Sequence, residues 1–375
     1  MARRRKNRAI AQGVWQSALR AKRQGWVRTI GRSGQFAGMF LGAIAMTLGL
    51  IACAGLPFQG NGLPSVEITL VSVNTTKAAY RNIIPQFADQ WRRDHKQNVI
   101  VTQSYGPSGS QTRAVLDGLD ADIVHLSLPL DIQKLEQEQL VASGWEKTLP
   151  NNSVPTESAV ALIFREGNPK SIQNWDDLTR PDISVLTADP KTSGAARWNF
   201  LALWQAGLRQ GNTEAAAKTF TGKVYGNAPI LPRDSREATG IFYKQSRGDV
   251  LINYENEAIL AAQNGEKLPY IVPDDNIRIE NPVALVSRNV SKHKNRAVTE
   301  AFAKFLFLPD AQREFAKVGF RAVEPSIQAE FTNEHPPITN WVEASEFGTW
   351  SQIQGQFFDS GALFDELRSL GTAPR

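Results

Sequence analysis

The stretch VEITLVSVNTTKAAYRNIIPQFADQWRRDHKQNVIVTQSY, Val66 to Tyr105, decides the fold. Its first eight residues alternate and are β-branched, as a half-buried strand should be. Apolar residues then recur at helical spacing across Ala78 to Asp94, at Tyr80, Ile83, Ile84, Phe87 and Trp91. Asn98 to Tyr105 reads as a second strand. Two strands joined by a helix of this length form a right-handed parallel unit, with the helix lying on one face of the sheet.

The alternation continues downstream. A Gly-Pro-Ser-Gly turn leads into a helix running through Gly118, ADIVHLSL (Ala121 to Leu128) is a third strand, and IQKLEQEQL is a helix. Ser158 to Arg165, Ile183 to Pro190 and Val250 to Tyr254 read as further strands, with helices at Ser193 to Leu208, Glu214 to Val224, near Ser235 to Gln245, and from Glu255. At 375 residues the chain exceeds one ordinary domain. We read an α/β protein of two lobes, each a mainly parallel sheet flanked by helices. Residues 66–150 form the first lobe's first segment, 151–255 the second lobe, and 256–375 a return segment whose lobe is open.

Upstream lies a leader. The first 52 residues hold ten Lys or Arg and no Asp or Glu, which leaves 32 basic against 37 acidic residues in the rest, a net of −5. The alkaline balance therefore belongs to the leader, and a nucleic-acid partner is not expected. FAGMFLGAIAMTLGLIACAG, from Phe36, is uncharged and follows the basic region, the layout of an export signal or N-terminal anchor. Residues 53–65 are a Gly- and Pro-containing linker. Cys53, the sole cysteine, ends the string Leu50-Ile51-Ala52-Cys53, which resembles the lipobox of bacterial lipoproteins; an uncleaved transmembrane helix is the other reading. Either way the folded part is extracytoplasmic and tethered.

Three loops at strand ends are rich in small and hydroxylated residues, where an α/β sheet places its ligand. The first, Gly106-Pro107-Ser108-Gly109-Ser110-Gln111, is neither a Walker loop nor a nucleophile elbow, and is a helix cap or an anion cradle. In the second, Ser193-Gly194-Ala195 opens a helix, where small residues let an oxygen approach backbone N–H groups. A nucleophilic Ser193 would need a base, yet the four histidines (His95, His125, His293, His335) carry no partner motif and no lysine sits at Ser-x-x-Lys spacing. The third, Arg233 to Thr239, is a counter-charge for an anion or a local ion-pair cluster with Asp234 and Glu237. No metal-binding motif is present, and no cofactor is expected.

At these residues the chain resembles the sulfate-binding proteins of bacterial ABC importers and their thiosulfate-binding relatives. The matching strings are VSVNTTKAAY, SYGPSGSQ, GNPKSIQNWDDL, PKTSGAARWN, GDVLINYENEA and FGTWSQIQGQFFDSGALFDEL, spread from Glu67 to Leu370. The resemblance implies a type II periplasmic-binding-protein fold, with sulfate held in the interlobe cleft and passed to a membrane permease, no catalysis, and a monomer. It also implies backbone donors at Asn74, Ser108, Gly194, Ala195 and Ser235, the hydroxyl of Ser193, and Tyr254 where the family places a tryptophan indole. Since a phenol both donates and accepts, Tyr254 is expected to relax discrimination. Thiosulfate is the alternative ligand, with molybdate or phosphate behind it. From a different class, a tethered hydrolase using Ser193 or Ser108 is the remaining alternative.

Overall fold

The computed structural model describes residues 62–371. The leader, most of the linker and Cys53 lie outside the described residues.

Twelve strands appear along the described chain: β1 (Ser65–Val73), β2 (Asn98–Gly106), β3 (Ile123–His125), β4 (Thr156–Ser158), β5 (Val160–Phe164), β6 (Val185–Leu186), β7 (Val250–Tyr254), β8 (Tyr270–Ile271), β9 (Asp275–Ile277), β10 (Ile279–Asn281), β11 (Val283–Leu285) and β12 (Asn340–Val342). One sheet has the order β11-β3-β1-β2. Its β1 runs parallel to both β2 and β3, and β11 is antiparallel to β3. The helix Lys77–His95 joins β1 to β2, as the spacing of Tyr80, Ile83, Phe87 and Trp91 predicts.

Period-two alternation places this sheet between two layers. Ile68 and Leu70 of β1 join Tyr80, Phe87, Phe302 and Phe315 in one cluster, while Val71 joins Val115, Val124 and Leu126 in another. Covered on both faces, the sheet buries all of β3 and most of β1 from Ile68 onward, whereas β2 at the edge is only partly covered.

The second sheet has the order β6-β7-β5-β8. Here the expectation of a mainly parallel sheet needs correcting: β6 and β7 are parallel, but β5 is antiparallel to both β7 and β8. The reason is connectivity. β5 is entered directly from the crossing strand β4, so no crossover helix sets its direction. Alternation again divides the faces. Val160, Leu162, Val250, Ile252 and Tyr254 point to a core shared with Trp198 and Phe200, and Ala161, Ile163 and Leu251 point to a smaller cluster with Phe242.

The chain passes between the two sheets through the antiparallel pair β4–β10, in which Glu157 faces Glu280. After β10 it returns to the first sheet as β11, and the helices Arg296–Phe305 and Pro309–Lys317 add Phe302 and Phe315 to the first core. The tail then crosses back. β12 pairs with β9, and Trp350, Phe357, Phe358, Phe364 and Leu367 complete the second core. Among the described residues no helix is long and apolar enough to cross a membrane.

Candidate functional site

The carboxyl ends of β1, β2 and β3 all open toward the second lobe. Beyond β1 the chain tightens into the 3-10 turn Asn74–Thr76, beyond β2 the helix Ser108–Leu116 begins at Pro107, and beyond β3 lies Ser127. From the other side come the N-termini of the helices Gly194–Gly211 and Ser235–Gln245. Together they enclose a cavity of about 20 Å³, lined by Val73, Asn74, Thr75, Gly106, Pro107, Ser108 and Ser127 from one lobe and Ser193, Gly194, Ala195, Asp234, Ser235 and Arg236 from the other. A space of this size suits a compact group.

Each entering helix leaves its first N–H groups without an intrahelical acceptor and carries a partial positive charge at that end. Both caps on the second lobe are side chains. Ser193 Oγ accepts from the N–H of Ala196 at 3.3 Å, and Asp234 Oδ1 accepts from the N–H of Glu237 at 2.8 Å. The cap uses a lone pair of Ser193 and leaves its hydroxyl proton available. Ser235 Oγ and Thr75 Oγ1 are buried with no hydrogen-bond partner in the protein. Ser108 is fixed differently: its Oγ donates to Asp131 at 2.7 Å and accepts from the N–H of Ser127 at 3.0 Å, so its backbone N–H is what it can offer.

The wall's charge is compensated locally. Arg236 is bound to the buried Glu257 at 2.8 Å. Arg233, 72% exposed, pairs with Glu237 at 3.4 Å, so the Arg233 to Thr239 segment is an ion-pair cluster flanking the site. Neither serine hydroxyl bonds a histidine. His125 is buried in the first core between the Tyr80 hydroxyl at 2.7 Å and the Asn281 carbonyl at 3.1 Å, and burial draws its pKa down to about 3. Among the described residues no group of three or more His, Cys, Asp or Glu is arranged to hold a metal ion.

The lobes touch across the cavity. Trp198 Nε1 donates to the Ser127 carbonyl at 2.8 Å, and Asn74 Nδ2 donates to Asp234 Oδ2 at 3.1 Å. Gly194 is the tightest point, since a Cβ there would lie 2.6 Å from Ser127 Cβ and 3.3 Å from Ser108 Cβ. The structure is therefore of the closed arrangement.

Six of the seven residues singled out in the sequence line the cavity: Asn74, Ser108, Ser193, Gly194, Ala195 and Ser235. Tyr254 does not. As the last residue of β7 it follows Val250 and Ile252 onto the core face, is 0% exposed, and its hydroxyl has no hydrogen-bond partner. The side chains of Asn281 and Ser127 still lie near enough to offset part of the upward pKa shift that burial causes. Tyr254 thus stands behind the wall, with Ser127 in front of it. Ser127 and Thr75 were not singled out in the sequence. The available signal was position, because each follows a first-sheet strand just as Ser108 does.

The family model for bacterial extracellular solute-binding proteins matches residues 68–321. A sulfate-binding protein of Synechococcus elongatus is 49% identical over 334 residues, covering 87% of this chain and 94% of that protein. A thiosulfate-binding protein of Pseudomonas aeruginosa is 34% identical over 322 residues, covering 85% of this chain and 97% of that protein. Among solved structures, the sulfate-binding protein SubI from Mycobacterium tuberculosis H37Rv superposes with a TM-score of 0.72 at 34% identity, covering 78% of this chain and all of that one. With its strand-end loops converging on one small interlobe cavity, the chain belongs to the bacterial extracellular solute-binding proteins, within the group of sulfate-binding proteins and their thiosulfate-binding relatives.

Proposed function

We propose that the protein captures sulfate in this cavity and delivers it, chemically unchanged, to the permease subunits of an ABC importer. The observation that carries this reading is the convergence of helix N-termini from both lobes on a cavity sized for one compact ion, whose lining cation, Arg236, is already paired. The donors are the backbone N–H groups of Asn74, Ser108, Gly194, Ala195 and Ser235 and the hydroxyl of Ser193. Hydrogen bonds to a charged group contribute about 1.5 to 3 kcal/mol each before the cost of stripping water from the dianion. Helix ends spread the counter-charge over neutral groups, so the ion is held without a partner that would resist its release.

Selectivity follows from protons. Sulfate is fully deprotonated at neutral pH, whereas phosphate keeps a proton that a wall of donors leaves unpaired, at a cost of about 1 to 3 kcal/mol. Tyr254, behind Ser127, acts on this balance only indirectly. The first lobe takes residues 66–150, the second residues 151–255, and the return segment is divided, with β8 and β9 staying in the second lobe, β11 and its following helices in the first, and the tail again in the second. The mature protein is a periplasmic monomer held to the membrane through lipidated Cys53. Cys53→Ser is expected to abolish fatty-acid labelling, and labelling that persists would remove that part of the reading.

Calorimetric titration of the purified protein with sulfate, thiosulfate, phosphate and molybdate tests the ligand. Micromolar or tighter binding of sulfate, with no turnover of ester substrates, is the expected result. No heat with sulfate alongside tight binding of another oxyanion would overturn it.

A further inference from the structure

The cavity wall carries one carboxylate, Asp234, which is out of place beside a dianion. It is 6% exposed and does two things. Oδ1 caps the helix Ser235–Gln245 through the N–H of Glu237, and Oδ2 takes the side-chain N–H of Asn74 from the opposite lobe. We propose that Asn74 and Asp234 form a latch across the cleft that favours closure and keeps this carboxylate from accepting a proton from the bound anion.

Two residues 160 positions apart, carried by different lobes, meet only when the cleft is shut. The bond is therefore absent from the open state, and its whole net contribution falls on the closing equilibrium. The second effect is on specificity. A carboxylate oxygen on the wall is the acceptor that a protonated oxyanion such as hydrogen phosphate lacks elsewhere in a donor-lined site. While Oδ2 holds the Asn74 amide, that acceptor is directed across the cleft at the protein. Without the amide it faces the ligand, and the rejection of protonated anions weakens. Asn74 is thus a positioning residue whose side chain governs Asp234, separately from its backbone N–H. This inference rests on the proposed sulfate site.

The test is calorimetry at pH 7 with sulfate and with inorganic phosphate, on the wild-type protein, Asn74→Ala, Asp234→Asn and the double variant. Asn74→Ala is expected to bind sulfate about tenfold more weakly, the size of one hydrogen bond to a charged group after its solvation is deducted. Its phosphate affinity should rise about tenfold relative to sulfate. Asp234→Asn retains a good cap and removes the acceptor, so the double variant should reject phosphate again. A simple packing defect at position 74 would lower both affinities together and would not be reversed by the second substitution. Should Asn74→Ala fail to fold, Asn74→Ser carries the same expectations. Wild-type protein that ignores sulfate overturns the site itself, and the latch with it. Wild-type protein that binds sulfate, with an unchanged sulfate-to-phosphate ratio in Asn74→Ala, overturns the latch alone.

Discussion

Ser127 and Ser108 of one lobe press against Gly194 of the other so closely that a methyl group at 194 would overlap Ser127 Cβ. Since both neighbours are backbone-anchored β-carbons, they cannot swing aside as the end of a long side chain would. Gly194→Ala should therefore hold the lobes apart. We expect sulfate affinity to fall at least tenfold and the ligand-induced compaction seen by small-angle scattering to disappear, while the melting temperature of the ligand-free protein stays within about 2 °C, because an open cleft relieves the clash. Unchanged affinity would overturn the idea that closure needs a residue without a side chain at position 194. At this scale the sequence told of small residues at a helix start, and hence of Gly194, Ala195 and Ser193. Ser127, a lone serine between two leucines, carries no periodic or capping signal, and only its position after a strand marks it. Tyr254 was legible as a strand end, but which face it takes depends on the strands beside β7.

The helices that open on the cavity act as elements, each contributing a dipole and a free first turn. Ser193 caps its helix by accepting from Ala196, and in the proposed site its hydroxyl also donates to the ligand. Those roles have different sizes. Loss of the cap costs about 1 kcal/mol of stability, whereas loss of a hydrogen bond to a charged anion costs about 1.5 to 3 kcal/mol of binding. Ser193→Ala should thus lower the melting temperature by only a few degrees and weaken sulfate binding by roughly 10- to 100-fold. Comparable losses in both measurements would point to a cap and nothing more. Elements with long patterns were readable from the sequence: the helix read as Ala78 to Asp94 forms as Lys77–His95, and β2 forms as expected. The strands from β8 to β12 span two or three residues each, too few for a period of two to declare itself.

The division of the return segment was beyond local reading, because it depends on β11 finding β3 and β12 finding β9 across more than 60 residues in each case. The crossing between lobes is likewise a property of the whole chain. At the β4–β10 pair, Arg278 binds Glu157 at 2.9 Å and Glu343 at 2.8 Å, and Arg321 grips the buried Glu255 through two nitrogens at 2.8 and 3.0 Å. Glu280, facing Glu157, has its pKa pushed up to about 7, first by burial and then by Glu157 and Glu343, with Arg278 opposing. A carboxyl whose folded pKa lies above its unfolded value holds its proton longer in the native state. Stability is therefore lost as pH rises from about 4.5 to about 7. Glu280→Gln should leave stability near pH 5 almost unchanged and raise it by about 2 kcal/mol at pH 8, read by urea unfolding. Equal stability of the two proteins at pH 8 would show that water screens the site. His125 has the opposite sign. Its imidazole is neutral in the fold and gains a proton on unfolding, so it withdraws stability as pH falls from about 6.5 toward 3.

The tail that crosses back over the second lobe also sets a clock. Phe357, Phe358, Phe364 and Leu367 leave the ribosome long after Val160 and Trp198, yet they fill the same core. That lobe has no complete interior until the tail has emerged, whereas domains that are contiguous in sequence fold as soon as they emerge. For a member of an extracellular solute-binding family, late completion keeps the polypeptide threadable while it crosses a membrane.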